Sequence, residues 1–387
     1  MTSLLVIIVL VLLAVAIWQL TKIFDLTQVG TSQPQGNLQV ATDKDNNLHG
    51  YLMFAFLGFI YLITIWCCVK YGDLPLLDNA ASEHGASVDH LMWITLGIIF
   101  FVQTITQALL HWFSFKYRGK QGNVALYFAD NDRLEFIWSV IPAIVLAGLI
   151  LYGLYAWTNI MFVDENKDVM VVEVYAKQFS WEVRYSGKDN VLGKANVRYI
   201  EGINTTGTDM SDPNAQDDVT ATELHLPKGK RVLFKLRSQD VLHSFYMPHF
   251  RAQMNCVPGM VTRFSFMPIT TTAEMREKPE IVDKVEHINQ LRAKKNEELA
   301  AEHQPLLDPY QFDFLLLCNK ICGPSHYNMQ MKVVIDTPED FKKWMDGQKT
   351  LAARIKEAAA SATPADGSAA PTGAPSPATA APAMAAK

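Results

Sequence analysis

The stretch Cys318-Asn319-Lys320-Ile321-Cys322-Gly323-Pro324-Ser325-His326-Tyr327-Asn328-Met329 puts two cysteines, a histidine and a methionine within twelve residues. Upstream, Asp240-Val241-Leu242-His243-Ser244 supplies a second histidine. Thiolate, thioether and imidazole are soft donors that select copper over magnesium or calcium. One Cys, one Met and two His would describe a mononuclear blue-copper centre. A second Cys changes the stoichiometry, because two thiolates can each bridge two ions, and the pattern then points to a dinuclear copper site. Such a site spreads one electron over two metals in a rigid cage and leaves no position open for substrate, which suits electron transfer. The same residues also fit a Cys318–Cys322 disulfide with His326 and Met329 as packing groups. They fit a zinc site less well, since Met is a poor zinc ligand and the usual spacings are Cys-x₂₋₄-Cys and His-x₃₋₅-His.

Working outward, 49% of the residues are hydrophobic and 19% charged, with a formal net charge of −5. That balance fits a chain that is part membrane and part soluble domain, and it carries no signature of nucleic-acid binding. Four apolar runs stand at 4–20, 51–69, 91–115 and 136–160, each near or beyond the length that crosses a bilayer as a helix. The first has the length of a signal peptide too. No basic residue precedes it and no small-residue cleavage site follows, so residues 1–22 are expected to stay as an anchor. Residues 48–72 form a second expected membrane helix and 89–162 a helical hairpin. Lys116, Arg118, Lys120 and Arg133 follow the third run, whereas Asp73, Asp78, Glu83 and Asp89 precede it. Basic loops stay in the cytoplasm, so everything after the fourth helix is expected on the far side. Glu135 sits at the cytoplasmic mouth of that helix. It is either an ordinary acidic residue favoured by a helix N-terminus or, as a carboxylate at the membrane edge, the start of a proton path.

From Val169 the pattern changes to period-two strands: Val171–Ala176, Gln178–Tyr185, Arg231–Arg237, Arg263–Phe266 and Met331–Asp336. Short strands with Pro-Gly turns indicate a sandwich or small barrel over 163–336. Two insertions interrupt it. Residues 186–222 have the composition of a long polar loop, and 273–304 that of a solvated helix or one docked on a neighbour. Thr337-Pro338-Glu339-Asp340 opens one helix over 337–360 with a capping box, and the Ala/Pro-rich tail 361–387 is expected to be disordered. Of five cysteines, Cys67 and Cys68 lie in an expected membrane helix, and Cys256 is expected to be a buried thiol.

The spacing Cys318-x-x-x-Cys322-Gly323-x-x-His326-x-x-Met329 resembles the CuA motif of subunit II of bacterial haem-copper cytochrome c oxidases. Asp240-Val241-Leu242-His243-Ser244 with Pro248 and the later Pro258-Gly259 is similar to a second stretch of that family. So is Leu134-Glu135-Phe136-Ile137-Trp138-Ser139-Val140-Ile141-Pro142 in the membrane part, and the resemblance runs from about 89 to 336 with insertions. It implies membrane α-helical hairpins plus an all-β cupredoxin-like domain. It also implies a dinuclear copper (CuA) centre in which Cys318 and Cys322 bridge both ions. His243 and Met329 would complete one copper, and His326 with the backbone carbonyl of Lys320 the other. Electrons would enter from a cytochrome c through the aromatic stretch that holds Phe179 and Trp181, and pass to haem in subunit I, where oxygen is reduced to water. Subunits I and III are the implied partners. The implied location is the bacterial inner membrane, with the copper domain in the periplasm. Glu135 matches the residue at the entrance of the family's K-pathway for protons.

Three departures matter. Lys320 stands where the family commonly has a Glu that helps bind magnesium, which puts that magnesium site in doubt. Phe179 stands where a Trp often receives the electron. The two N-terminal helices are additions to the usual pair. The first two point to a membrane-anchored or complex-bound cytochrome c as donor, for which the extra helices and the 273–304 insertion offer surfaces. Two other functions compete: a copper-less quinol oxidase subunit II, which the full ligand set disfavours, and a membrane-tethered copper carrier without catalytic partner, which Glu135 and the Trp138/Pro142 motif disfavour.

Overall fold

A computed structural model describes residues 10–23, 42–72, 79–163 and 168–362. Of the tail expected over 361–387, residues 361 and 362 are helical and 363–387 lie outside the described residues, as do the first nine residues of the N-terminal anchor.

The chain divides into two compact units. The first, residues 1–76 and 91–150, is helical. It contains α1 (Leu10–Ile23), α2 (Asp43–Tyr71), most of α3 (Glu83–Lys116) and most of α4 (Asp132–Met161). The last three are long and apolar enough to span a membrane. α2 starts at a full capping box, in which Thr42 accepts from the Asp45 N–H and Asp45 reaches back to the Thr42 backbone. Its first turns meet the end of α3. Asp43 accepts the Gln121 N–H, Asn46 donates to the Gly119 carbonyl, and Arg118 donates to Asn47 while lying over the Phe115 ring. Gly50 is needed there, because a Cβ would stand 2.8 Å from Phe115. The start of α2 therefore lies at the same end as the basic loop after α3, as the charge count requires.

The second unit, residues 77–90 and 151–387, is built on two five-stranded sheets. The strands are β1 (Met170–Lys177), β2 (Ser180–Tyr185), β3 (Val219–Ala221), β4 (Leu224–Pro227), β5 (Val232–Ser238), β6 (His243–Met247), β7 (Ala252–Cys256), β8 (Thr262–Phe266), β9 (Phe314–Cys318) and β10 (Gln330–Asp336). Their orders are β3-β2-β1-β5-β8 and β4-β10-β9-β6-β7. The β1–β5 and β10–β4 pairs are parallel and the rest antiparallel. In β10, Met331, Val333 and Ile335 alternate inward, as a strand with one wet face must. They meet Val172, Val174, Phe234, Phe245, Phe266 and Phe314 in one core. This is the expected all-β sandwich.

β1 departs from alternation, since its six central residues are all buried. The cause is the 186–222 segment. It is not a solvated loop but a folded cover, with Asn204, Thr206, Thr208, Ala215 and Asp218 buried. Arg184 on β2 lies beneath it, donating to Glu173 (2.8 Å), Asp218 (2.6 Å) and the Gly193 carbonyl (2.9 Å). Arg237 donates to Glu173 as well, at 3.0 Å, so two guanidinium groups compensate the two carboxylates. The second insertion is helical: α5 (Thr272–Arg276) and α6 (Pro279–Ala301). The returning chain is held to α6 by Asn289, which bonds both backbone groups of Tyr310, and by Asn296, which does the same for Leu307. The single helix expected over 337–360 is two, α7 (Pro338–Asp346) and α8 (Leu351–Ala362), broken at Gly347–Thr350. Thr337 caps α7, and the Leu351 N–H is drawn to the Asp218 carbonyl of the cover.

The first turns of α3 belong to this unit. The Ser82 hydroxyl donates to the Phe250 carbonyl, Ser82 forms a β-bridge with Pro268, and the Ala81 N–H donates to the His249 carbonyl. Asp89 receives both Nε and Nη2 of Arg251.

Candidate metal centre

β6 and β9 are neighbours with Phe245 opposite Cys318, so His243 and Cys318 reach the same end of the sheet. The chain leaves β9 at Cys318, loops through Cys322 and His326, and returns into β10 just after Met329. The Cys318 N–H donates to the Met329 carbonyl and closes the loop at its base.

The soft donors converge. Cys318 Sγ lies 3.9 Å from Cys322 Sγ, and all five cysteines are free, which removes the disulfide. His243 Nδ1 is 3.8 Å from Cys318 Sγ, His326 Nδ1 is 3.6 Å from Cys322 Sγ, and Met329 Sδ is 3.8 Å from Cys322 Sγ. The Lys320 carbonyl stands 3.2 Å from Cys318 Sγ, while its side chain is exposed. His243, Cys318 and Cys322 have donor atoms all within 4.8 Å of one another and could hold a metal ion. His326 is not in that close group but approaches from the Cys322 side. His243, Cys322 and Met329 are buried. Burial, and then the neighbouring Cys318, push the Cys322 thiol up to about 11, so metal uptake must displace protons from the thiols.

A surrounding set of contacts fixes these donors. Asp240 Oδ1 lies 2.8 Å from His243 Nε2, and its Oδ2 accepts the Gln178 N–H at 2.7 Å. Burial raises the Asp240 carboxyl, but bonds from Gln178, His243 and Val241 outweigh it and hold the group below the usual range. The Gln178 side-chain amide donates to the Cys322 carbonyl. Gln178 thus ties the His243 side of the cluster to the Cys322 side. Gly323 has φ +145°, and a Cβ there would stand 2.8 Å from the Phe179 ring. Neither the Gln178 amide nor the Gly323–Phe179 contact was marked by sequence reasoning. Only their nearness to the aromatic stretch and the second Cys could have drawn attention to them.

Trp181 is buried, with its indole N–H 3.4 Å from the Met329 carbonyl and its ring edge-on to His243 at 6.2 Å. Phe179 is half-buried over Gly323. Cys256 is buried directly opposite His243 in the β6–β7 register, and burial pushes its thiol up to about 12. Glu135 is exposed in the first turn of α4, its N–H bonded to the Asn131 carbonyl, and belongs to the other unit.

Membrane-length helices and a β-sandwich with a His/Cys/Cys group at one end define a membrane-anchored cupredoxin-like protein. Residues 71–156 match the family model for the cytochrome c oxidase subunit II transmembrane domain, and 170–275 that for its periplasmic domain. The chain is 34% identical over 267 residues to the alternative cytochrome c oxidase subunit 2 of Bradyrhizobium diazoefficiens, covering 68% of this chain and 81% of that one. It is 23% identical to the cytochrome c oxidase subunit 2 of Thermostichus vulcanus, covering 76% and 84%. The crystal structure of the periplasmic domain of subunit II from Bradyrhizobium japonicum aligns with 14% identity and a TM-score of 0.27, covering 48% of this chain and 94% of that one. The chain belongs to the cytochrome c oxidase subunit II family. It is a membrane-spanning subunit of an oxidase complex with a periplasmic domain.

Proposed function

We propose that this chain is the electron-entry subunit of a proton-pumping terminal oxidase and holds a dinuclear copper centre. The observation that carries the proposal is the donor set: two Sγ atoms 3.9 Å apart, with one imidazole near each. Two thiolates shared between two ions need this disposition, and Met329 Sδ and the Lys320 carbonyl bring the donors beyond the four that a single tetrahedral ion takes. Cys318 and Cys322 would hold both ions, His243 and Met329 would complete one, and His326 with the Lys320 carbonyl would complete the other. Copper, when bound, supplies a one-electron redox step without an open coordination position.

The remaining roles fall to the chain itself. Asp240 accepts the His243 Nε2–H, which fixes the tautomer and turns the Nδ1 lone pair toward Cys318. Gln178 holds the two ligand-bearing segments together from outside. Trp181 is covered, so an incoming donor meets Phe179 first, and Trp181 supports the site from beneath. The donor is a cytochrome c held by the membrane or the complex, since tethering gives a high effective concentration where the Lys320 and Phe179 departures weaken recognition of a basic soluble protein. Electrons leave to haem in subunit I, where oxygen becomes water, with subunit III as a further partner. Glu135 opens the proton path from the cytoplasmic side of a bacterial inner membrane.

The test is metal analysis and electron paramagnetic resonance of the copper-loaded full chain. Two coppers per chain with one unpaired electron shared between them are expected. One copper per chain, or zinc, would remove the dinuclear centre. Cys318→Ser or Cys322→Ser abolishes the centre, because a bridging thiolate has no substitute. Met329→Leu keeps copper and shifts its potential, since the thioether is the weak ligand.

A further inference from the structure

The connection between α3 and α4 contains Val124-Ala125-Leu126-Tyr127-Phe128. Val124, Leu126, Tyr127 and Phe128 are large and apolar, and they are 91%, 94%, 92% and 76% exposed. The exposed apolar residues of α2, α3 and α4 lie on helices of membrane length, where acyl chains cover them. This run lies in no helix, so a spanning segment does not account for it. We propose that residues 124–128 insert into the headgroup boundary of the bilayer, on the side opposite the periplasmic domain, as a non-helical membrane anchor. The inference does not depend on what the metal centre holds.

Position comes first. The Gln121 N–H donates to Asp43 at the start of α2, and the Gly119 carbonyl accepts from the Asn46 amide. At the other end Asn131 accepts the Leu134 N–H with its side chain and the Glu135 N–H with its carbonyl, which fixes it to the first turn of α4. Both points of attachment are ends of membrane-length helices. Nine residues lie between 121 and 131, so the centre of the run stays within about 18 Å of those helix ends.

Exposure decides between a bilayer and a protein groove. The four side chains are open on every side of the chain at once. A groove covers one side of such a segment, whereas a fluid medium surrounds it. Contiguous apolar surface is rare where a protein meets only water. Tyr and Phe beside Val and Leu suit the boundary between headgroups and acyl chains. The backbone sets the depth. With no helix or strand to pair its N–H and C=O groups, the run must keep water beside them, which forbids the hydrocarbon centre.

Charge plays little part. Lys116, Arg118 and Lys120 precede the run, but Asp130, Asp132 and Glu135 follow it against Arg133. At the α2 end Asp43 and Asp45 stand against Lys44 and against Lys22, which reaches Asp45 from α1. The two signs nearly balance, so apolar burial holds the anchor and anionic lipid is not required.

The test uses the intact oxidase in its own membrane, with p-benzoylphenylalanine in place of Tyr127. Light inserts the benzophenone into a neighbouring C–H bond, and mass spectrometry of the chain identifies what it has joined. Phospholipid adducts should exceed protein adducts roughly fivefold. Leu126→Glu in the same chain should lower the lipid adduct roughly fivefold, since the added carboxylate draws the run back to water. Leu126 is exposed, so this change leaves the fold intact. The full chain in phosphatidylcholine vesicles should form the lipid adduct as well with phosphatidylglycerol as without it. Crosslinking chiefly to another subunit overturns the proposal, because a protein then covers the run. Absence of any adduct places the run in water and overturns it too. So does a lipid adduct that survives Leu126→Glu unchanged, or one that forms only with phosphatidylglycerol.

Discussion

Asp240 and His243 are joined by a 2.8 Å hydrogen bond through Nε2, while the same ring presents Nδ1 to Cys318 at 3.8 Å. One carboxylate thereby decides which nitrogen of a buried ligand is free to meet a metal. Loss of a hydrogen-bonding partner behind a metal-ligating His typically lowers metal affinity roughly 10–100-fold. Asp240→Asn should weaken copper binding on that scale while leaving the copper content at saturation unchanged. Competition with a copper chelator measures it, and unchanged affinity would show that ring packing alone holds His243.

Gly323 adopts a left-handed φ of +145° and lies under the Phe179 ring. Gly323→Ala should destabilise the chain by about 1–3 kcal/mol from backbone strain alone, with the ring clash added. Phe179→Leu in the same chain should recover only the clash. Thermal unfolding of the single and double variants separates the two contributions.

Arg184 is the centre of a buried ion cluster. Arg184→Met leaves Glu173 and Asp218 without their shared cation, a change of the kind that costs about 3–5 kcal/mol. Denaturant unfolding should show that loss, together with faster proteolysis within 186–222. A neutral result would mean that the cover stays down without its ionic anchor.

His249 lies edge-on to Phe312 and Phe314, and burial pushes it down to about 4 from an ordinary 6.5, with Lys284, Arg251 and Lys278 adding to the effect. Its folded pKa is below its unfolded one, so the unfolded chain takes the proton first. Its contribution to stability is complete above about pH 6.5 and declines as pH falls toward 4. His249→Phe should flatten the melting temperature across that window. The same slope in both proteins would assign the acid sensitivity to other groups.

Glu135→Gln in the intact oxidase should slow turnover and leave the copper spectrum unchanged, because Glu135 stands in the first turn of α4 and not at the metal group. Oxygen consumption with a fixed electron donor is the measurement. Unaltered turnover returns Glu135 to an ordinary helix-end carboxylate.

Sequence reading served best where chemistry or periodicity is local. The soft-donor spacing of Cys318–Met329 is visible without a fold, and β1, β2, β5, β8 and β10 show period-two patterns or β-branched runs. β9 reads Phe314-Leu315-Leu316-Leu317-Cys318, an apolar run with no period, and β4 is four residues long. Neither carries a local signal. The cover over 186–222 was illegible for a different reason. Its buried groups are polar, and their burial is tolerable only through partners that the fold supplies: Arg184 of β2 for Asp218, and the cover's own backbone for Asn204. The break at Gly347 is likewise set from a distance, by the bond that draws Leu351 to Asp218. Gln178 looked like one more strand residue until the fold brought it against both ligand segments.

The clasp formed by residues 79–90 makes the copper-bearing half a discontinuous piece of the polypeptide. A fragment begun at residue 163 would retain every soft donor. It would lack the Ser82 hydroxyl that meets the Phe250 carbonyl and the carboxylate that receives Arg251. The edge of the sandwich around β8 would be left unfinished. The head is therefore not a cassette that can be cut off or exchanged at the linker after α4: a faithful excision or graft must carry the opening turns of α3 with it.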